Sequence, residues 1–218
     1  MNTKLLFAGA VLLLGVLFAF ALVADRDARA PAPSSDRPVA ASDPSRLVRA
    51  GTPSLGPADA KVTIVEFLDP ACETCATFYP EVKRMLAASP ERLRLVTRLV
   101  PFHAGSEAVV DMLLAAHLQG RYWETLEALL RAQDRWVQGH RVQADAAMAV
   151  VGAVPGLDVA RLKNDMQRPE IRERAAQDLA DAKALKVVKT PEYFVNGKPL
   201  PTFGLAELRG TVDAALRK

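Results

Sequence analysis

The two cysteines of this 218-residue chain, Cys72 and Cys75, stand two residues apart, directly behind the apolar run of residues 61–68 (KVTIVEFL) and an Asp69-Pro70 break. A short β-branched run closed by such a pair reads as a buried strand. A helix is expected from about Cys72, with Phe78, Val82 and Leu86 on one face. Pro80 lies inside it and predicts a kink rather than an end, because the apolar spacing continues beyond. Residues 93–100 (LRLVTRLV) read as a second strand, so the cysteines sit at the first strand-to-helix junction of a βαβ unit.

Three chemistries compete for such a pair. A structural disulfide would stabilise little, because in the chain-entropy model a bridge contributes less as the loop it closes shortens. A structural zinc needs four ligands, and beyond the two cysteines only His103, His117 and His140 are of the usual kind. A Cu(I) carrier manages with fewer, and Cys72, Cys75 and His103 would be its ligands. The redox reading has the right local chemistry. A cysteine at a helix N-terminus faces unpaired N–H groups and the positive end of the macrodipole, which favour the nucleophilic thiolate. Cys75, one turn in, is placed to close the disulfide and to be shielded. A Cys-x-x-Cys beside a βαβ pattern is a thioredoxin-like signature.

Two other positions bear on this chemistry. Glu66 is a carboxylate within the apolar first strand, and two readings stay open: buried, with a raised pKa and able to take the proton of Cys75, or solvated at a strand edge. Thr190-Pro191 precedes a hairpin signalled by Asn196-Gly197 between residues 193–195 and 199–203. Pro191 is either cis or an ordinary trans proline at a strand start.

Between these motifs the apolar period is helical. Tyr122, Leu126, Leu129 and Leu130 share one face and Ile171, Ala175 and Leu179 another, within a region of about 104–185 interrupted near Gly120, Gly139, Pro155-Gly156 and Pro169. Residues 205–216 read as a final amphipathic helix.

The N-terminus sets the compartment. Residues 5–24 carry no charge and are long enough to span a bilayer, so residues 1–24 read as a membrane anchor, or else as a signal peptide. Lys4 on one side and the balanced Asp25-Arg26-Asp27 on the other keep the N-terminus in the cytoplasm and the remainder outside. Residues 25–57, rich in Pro, Ala and Ser, read as a tether that holds a domain of residues 58–218 on the order of 30 Å from the membrane. The alternative is that the last part of it, residues 46–55, packs on the domain as an extra strand. The net charge of +3 comes from scattered residues, so nucleic acid is not an expected partner.

VTIVEFLDPACETC and KTPEYFVNGKPL, with a helical region between them, resemble the DsbA-like branch of the thioredoxin superfamily. The resemblance covers residues 56–218. It implies an α/β thioredoxin-like fold with a helical domain inserted between the second strand and a cis-proline loop. It also implies that Cys72 is the exposed attacking thiol and Cys75 the buried resolving one. Glu66 matches the family's buried acid, and Thr190-Pro191 the loop that pairs with an extended substrate. The expected activity is thiol:disulfide exchange with cysteines of exported proteins at the bacterial inner membrane. It needs no cofactor beyond the Cys72–Cys75 disulfide. The oxidising direction, recharged by a DsbB-like membrane protein, is favoured over a reductase supplied by a transmembrane reductant. Where strongly oxidising members carry Pro-His between the cysteines, this chain carries Glu73-Thr74. Glu73 opposes the thiolate about as much as the helix terminus favours it, which predicts a moderately acidic Cys72 and a potential of roughly −270 to −150 mV.

Overall fold

The computed structural model describes residues 43–218. The anchor expected at residues 5–24, and the tether up to residue 42, lie outside the described residues. Among the described residues no helix is long and apolar enough to cross a membrane.

The chain order is α1 (Pro44–Leu47), β1 (Ser54–Leu55), β2 (Val62–Leu68), α2 (Glu73–Ala88) and β3 (Leu93–Leu99). Helices follow: α3 (Ser106–His117), α4 (Tyr122–Arg131) and the short α5 (Gln133–Trp136). A small hairpin of β4 (Val137–Gln138) and β5 (Arg141–Val142) precedes α6 (Ala144–Gly152), α7 (Val159–Asp165) and α8 (Pro169–Ala184). The chain closes with β6 (Glu192–Val195), β7 (Lys198–Pro199) and α9 (Leu205–Arg217). The main sheet has five strands in the order β1-β3-β2-β6-β7, with β2 and β3 parallel and the other pairings antiparallel. α2 is the crossover that a parallel β2–β3 pair requires.

Strand alternation divides β2 between two cores. Val62, Ile64 and Leu68 join the α2 side with Cys75, Tyr79 and Val82, whereas Val65 and Phe67 pack with Leu47, Val96 and Phe194 on the other. Period two therefore puts Glu66 on the side of α2. α2 runs through Pro80, and its buried stripe is Cys75, Tyr79, Val82 and Leu86. Phe78, expected on that stripe, instead stacks on Tyr193 and Phe203.

One detail of the sequence reading is filled in and one changes. The break expected near Gly139 is formed by a two-stranded hairpin. The second strand of the terminal hairpin stops at Pro199 instead of reaching Phe203, since Pro201 has no N–H to extend the ladder. The turn before it has φ 48° at Asn196 and 81° at Gly197, the pair of positive angles that a type I′ turn requires.

The tether boundary at residue 57 is also corrected. α1 packs Leu47 against the sheet, and β1 pairs antiparallel with β3 in the register Ser54↔Val96, so residues 46–55 pack on the domain, although only Ser54–Leu55 does so as a strand. Gly56, at φ +90°, passes so close to β3 that a Cβ would lie 2.2 Å from the Leu93 carbonyl oxygen. The anchor of this segment is electrostatic. Arg98 is fully buried on β3 and bonds Asp178 (Nε, 2.9 Å) and Asp181 (2.7 Å) of α8. It also donates to the carbonyls of Leu47 (3.1 Å) and Arg46. Arg49 closes on Asp181 from the N-terminal side at 2.5 and 2.7 Å. These cations hold the Asp181 carboxyl well below the usual carboxylate range, against a burial effect that alone would raise it.

Removing one partner of such a cluster leaves uncompensated buried charge. Arg98→Ala should cost about 3–5 kcal/mol in urea unfolding, whereas Arg49→Ala, at a solvent-screened site, should cost clearly less.

Candidate active site

Cys72 is the N-cap of α2, with extended backbone (φ −78°, ψ 118°), and its sulfur accepts the N–H of Cys75 at 3.4 Å. Sulfur here occupies the place usually taken by a Ser or Asp oxygen, satisfying one of the orphan donors of the first turn. The thiol also donates to the Thr190 carbonyl at 3.3 Å, so the chain from β2 and the chain entering β6 meet at this atom. The Thr190–Pro191 peptide is cis. No disulfide joins the two cysteines in this structure.

The two thiols titrate in opposite directions. Cys72 is lowered to about 6: donation from Cys75 is the largest influence, burial opposes it, and the Thr190 side chain and the Cys75 and Thr74 backbone add to it. Cys75 is fully buried, and burial first, then its donation to Cys72 and the negative charge of Glu66, push it well above the ordinary thiol value. The exposure expected of Cys72 does not hold, since it too is buried at 6% exposure, but a thiolate is favoured at its sulfur and disfavoured at that of Cys75. Glu73 does not supply the opposition expected of it. Its side chain is 72% exposed and turned toward His140, with Oε1 4.0 Å from Nδ1, where water screens it.

Of the two readings of Glu66, burial holds: no part of it is exposed. Its pKa is raised to about 8, mainly by burial, with the hydrogen bond from the Tyr193 hydroxyl (2.9 Å) opposing and the charge of Cys72 adding. Its other oxygen, Oε2, has no hydrogen-bond partner among the described residues, an arrangement suited to a group that takes and releases a proton. Tyr193 was not singled out by sequence. The signal was the β2–β6 register, which pairs Glu66 with Tyr193 and is invisible without the fold.

Asp69 was read only as a strand terminator, yet it is fully buried and accepts hydrogen bonds from both sides of the junction that presents Cys72. His103, offered as a third Cu(I) ligand, has its Nδ1 2.7 Å from Asp69 Oδ2. Among the described residues no group of three His, Cys, Asp or Glu side chains converges on a possible metal position, so the proposed Cu(I) set is not assembled. Beside the Thr190 loop, Phe203 stacks on Phe78 at 5.3 Å and carries Lys189 Nζ 4.8 Å from its ring centroid.

Residues 49–214 match a family model described as thioredoxin. A thioredoxin-like oxidoreductase from Silicibacter pomeroyi DSS-3 superposes with a TM-score of 0.68 at 31% identity, covering 81% of this chain and 99% of that one. BdbD from Bacillus subtilis shares the fold, with a TM-score of 0.67 at 20% identity over 83% of this chain and 99% of that one. The probable disulfide bond formation protein D of Bacillus anthracis is 26% identical over 76% of this chain and 78% of its own length. The Na(+)/H(+) antiporter NhaA of Herminiimonas arsenicoxydans is 32% identical over 73% of this chain but only 23% of its own length. The chain spans about a quarter of the first curated relatives it matches. The chain belongs to the thioredoxin family.

Proposed function

We propose that this protein is a thiol:disulfide oxidoreductase of the bacterial cell envelope that oxidises cysteines of exported proteins. The observation that carries the proposal is the unequal placement of two thiols one helical turn apart: Cys72 caps α2 and accepts the Cys75 N–H at 3.4 Å, whereas Cys75 is fully buried within the helix. In the oxidising turn a substrate thiolate attacks Cys72 Sγ, the Cys72–Cys75 bond breaks, and Cys75 leaves with the electron pair. Its high proton affinity is met by Glu66, which delivers the proton and is left as the carboxylate. A second substrate thiolate then attacks the substrate sulfur of the mixed disulfide, and Cys72 departs as thiolate. Two substrate thiols lose two electrons, and the enzyme gains them as its dithiol. The backbone at Thr190-Pro191 pairs with the extended substrate, which sets the substrate sulfur beside Cys72.

Direction follows from the same sulfur. Whatever stabilises the Cys72 thiolate stabilises the reduced protein and makes the disulfide the better oxidant, which supports the oxidase over the reductase. The remaining elements of the proposal are residues 5–24 as the inner-membrane anchor, an extracytoplasmic catalytic domain, and a DsbB-like membrane partner that restores the disulfide.

Three measurements test this reading. In the reduced protein, alkylation of Cys72 followed against pH should show a midpoint near 6, with Cys75 unreactive until the protein unfolds. Equilibration with glutathione should place the couple at roughly −270 to −150 mV, and Cys72→Ser should abolish exchange. A value of roughly −150 mV or above supports the oxidase, and one of about −250 mV favours the reductase. Glu66→Gln should slow formation of the mixed disulfide on the order of 10²-fold. It should also change the pH dependence of stability. A folded pKa of about 8, above the unfolded value, means that the native chain loses stability as pH rises from near 4.5 to near 8. The Gln variant escapes this loss, so its advantage in urea unfolding should grow by up to roughly 1.4 kcal/mol per pH unit across that window.

A further inference from the structure

Asp69 takes no part in the thiol chemistry above, yet its buried carboxylate gathers donors from three segments. Oδ1 accepts the N–H of Ala71 at 2.9 Å and the hydroxyl of Ser106, the first residue of α3. Oδ2 accepts the N–H groups of Phe102 and His103, each at 2.7 Å, and faces His103 Nδ1 at the same distance. The Asp69 carbonyl accepts the N–H of Cys72 at 3.0 Å. One side chain therefore fastens the turn that presents Cys72 to the loop by which the chain enters the helical insertion. A second fastening comes from the Gln133 side chain, which donates to the Pro70 carbonyl at 2.8 Å.

The hydrogen bonds that this turn serves have little slack. Cys72 sulfur meets the Cys75 N–H at 3.4 Å and the Thr190 carbonyl at 3.3 Å, and such bonds weaken steeply with misalignment. A displaced turn would loosen first the Cys75 N–H bond, which is the one of the two that favours the thiolate. We propose that Asp69 is a positioning residue for the disulfide exchange, holding residues 69–72 against residues 102–106 so that Cys72 Sγ stays at the N-cap of α2, within reach of the Thr190 loop. This rests on the role given to Cys72 above.

Charge and position make opposite demands, which renders the proposal testable. A fixed anion three residues from Cys72 would, by Coulomb repulsion alone, disfavour its thiolate. Asp69→Asn removes that charge, but it also sets an NH₂ or a weaker acceptor against donors that the carboxylate now satisfies. If position governs, Cys72 in Asp69→Asn becomes less acidic; if charge governs, it becomes more so. In the full chain, alkylation of Cys72 at pH 5 should slow about tenfold, corresponding to one pKa unit. The glutathione equilibrium should move about tenfold toward the protein disulfide, equivalent to about 30 mV. Ser106→Ala keeps the charge, removes one donor, and should slow alkylation in the same direction by about threefold; it stands in if Asp69→Asn does not fold. Faster alkylation in Asp69→Asn, or lower thermal stability with unshifted alkylation and equilibrium in both variants, would overturn the proposal. Because these readouts are taken on Cys72 itself, failure here with exchange intact in the parent sinks the positioning role alone. Parent activity that survives Cys72→Ser sinks the functional reading.

Discussion

β2 is hydrogen-bonded along one edge to the parallel β3 and along the other to the antiparallel β6, and helices cover the face that carries Glu66. That carboxylate is fully buried, so its protonation is decided by burial, opposed by one phenol and reinforced by the charge of Cys72. An ion left alone in such a place would cost several kcal/mol, and the ordinary response is for the group to hold its proton. The same strand ends at Asp69 and hands the chain to Cys72. The proton-holding group and the sulfur pair are therefore set by one piece of backbone, whose position is fixed on both sides.

From that junction the first turn of α2 treats two identical side chains differently. Cys72 is the cap, outside the helical hydrogen bonds, and its sulfur takes up donors that nothing else satisfies. Cys75 lies within the helix, on the stripe that faces the sheet, where there is no water and a carboxylate is near. A spacing of three residues is what places one sulfur on each side of this boundary while keeping them close enough to bond. Glu73 and Thr74 fill the gap without filling the site, since Glu73 turns outward to solvent.

The periphery matters because the site has two halves from distant parts of the chain. Thr190 belongs to the segment after α8, and α8 is held to β3 by Arg98, Asp178 and Asp181. The same arginine grips the backbone at Leu47. Burying it costs solvation that only full pairing offsets, so the cluster favours one arrangement of the N-terminal segment, β3 and α8 over looser ones.

How much of this was legible depended on range. Period and punctuation located β2, α2, β3, the helical region, the hairpin and the final helix, because each is encoded by residues a few positions apart. The cysteine spacing and its place after a strand pointed to thiol exchange for the same reason. The packing of residues 46–55 was readable only as an alternative, because the partner of Arg46 and Arg49, Asp181, lies more than a hundred residues away and composition gives no sign of it. The choice between a buried and a solvated Glu66 likewise needed β6, and the inward turn of Asp69 needed the loop after β3. The sequence by itself determined the local elements and the chemistry of the Cys-x-x-Cys pair. Only the tertiary structure decided which charges lose their water, and pKa values and buried pairings follow from that loss and not from position along the chain.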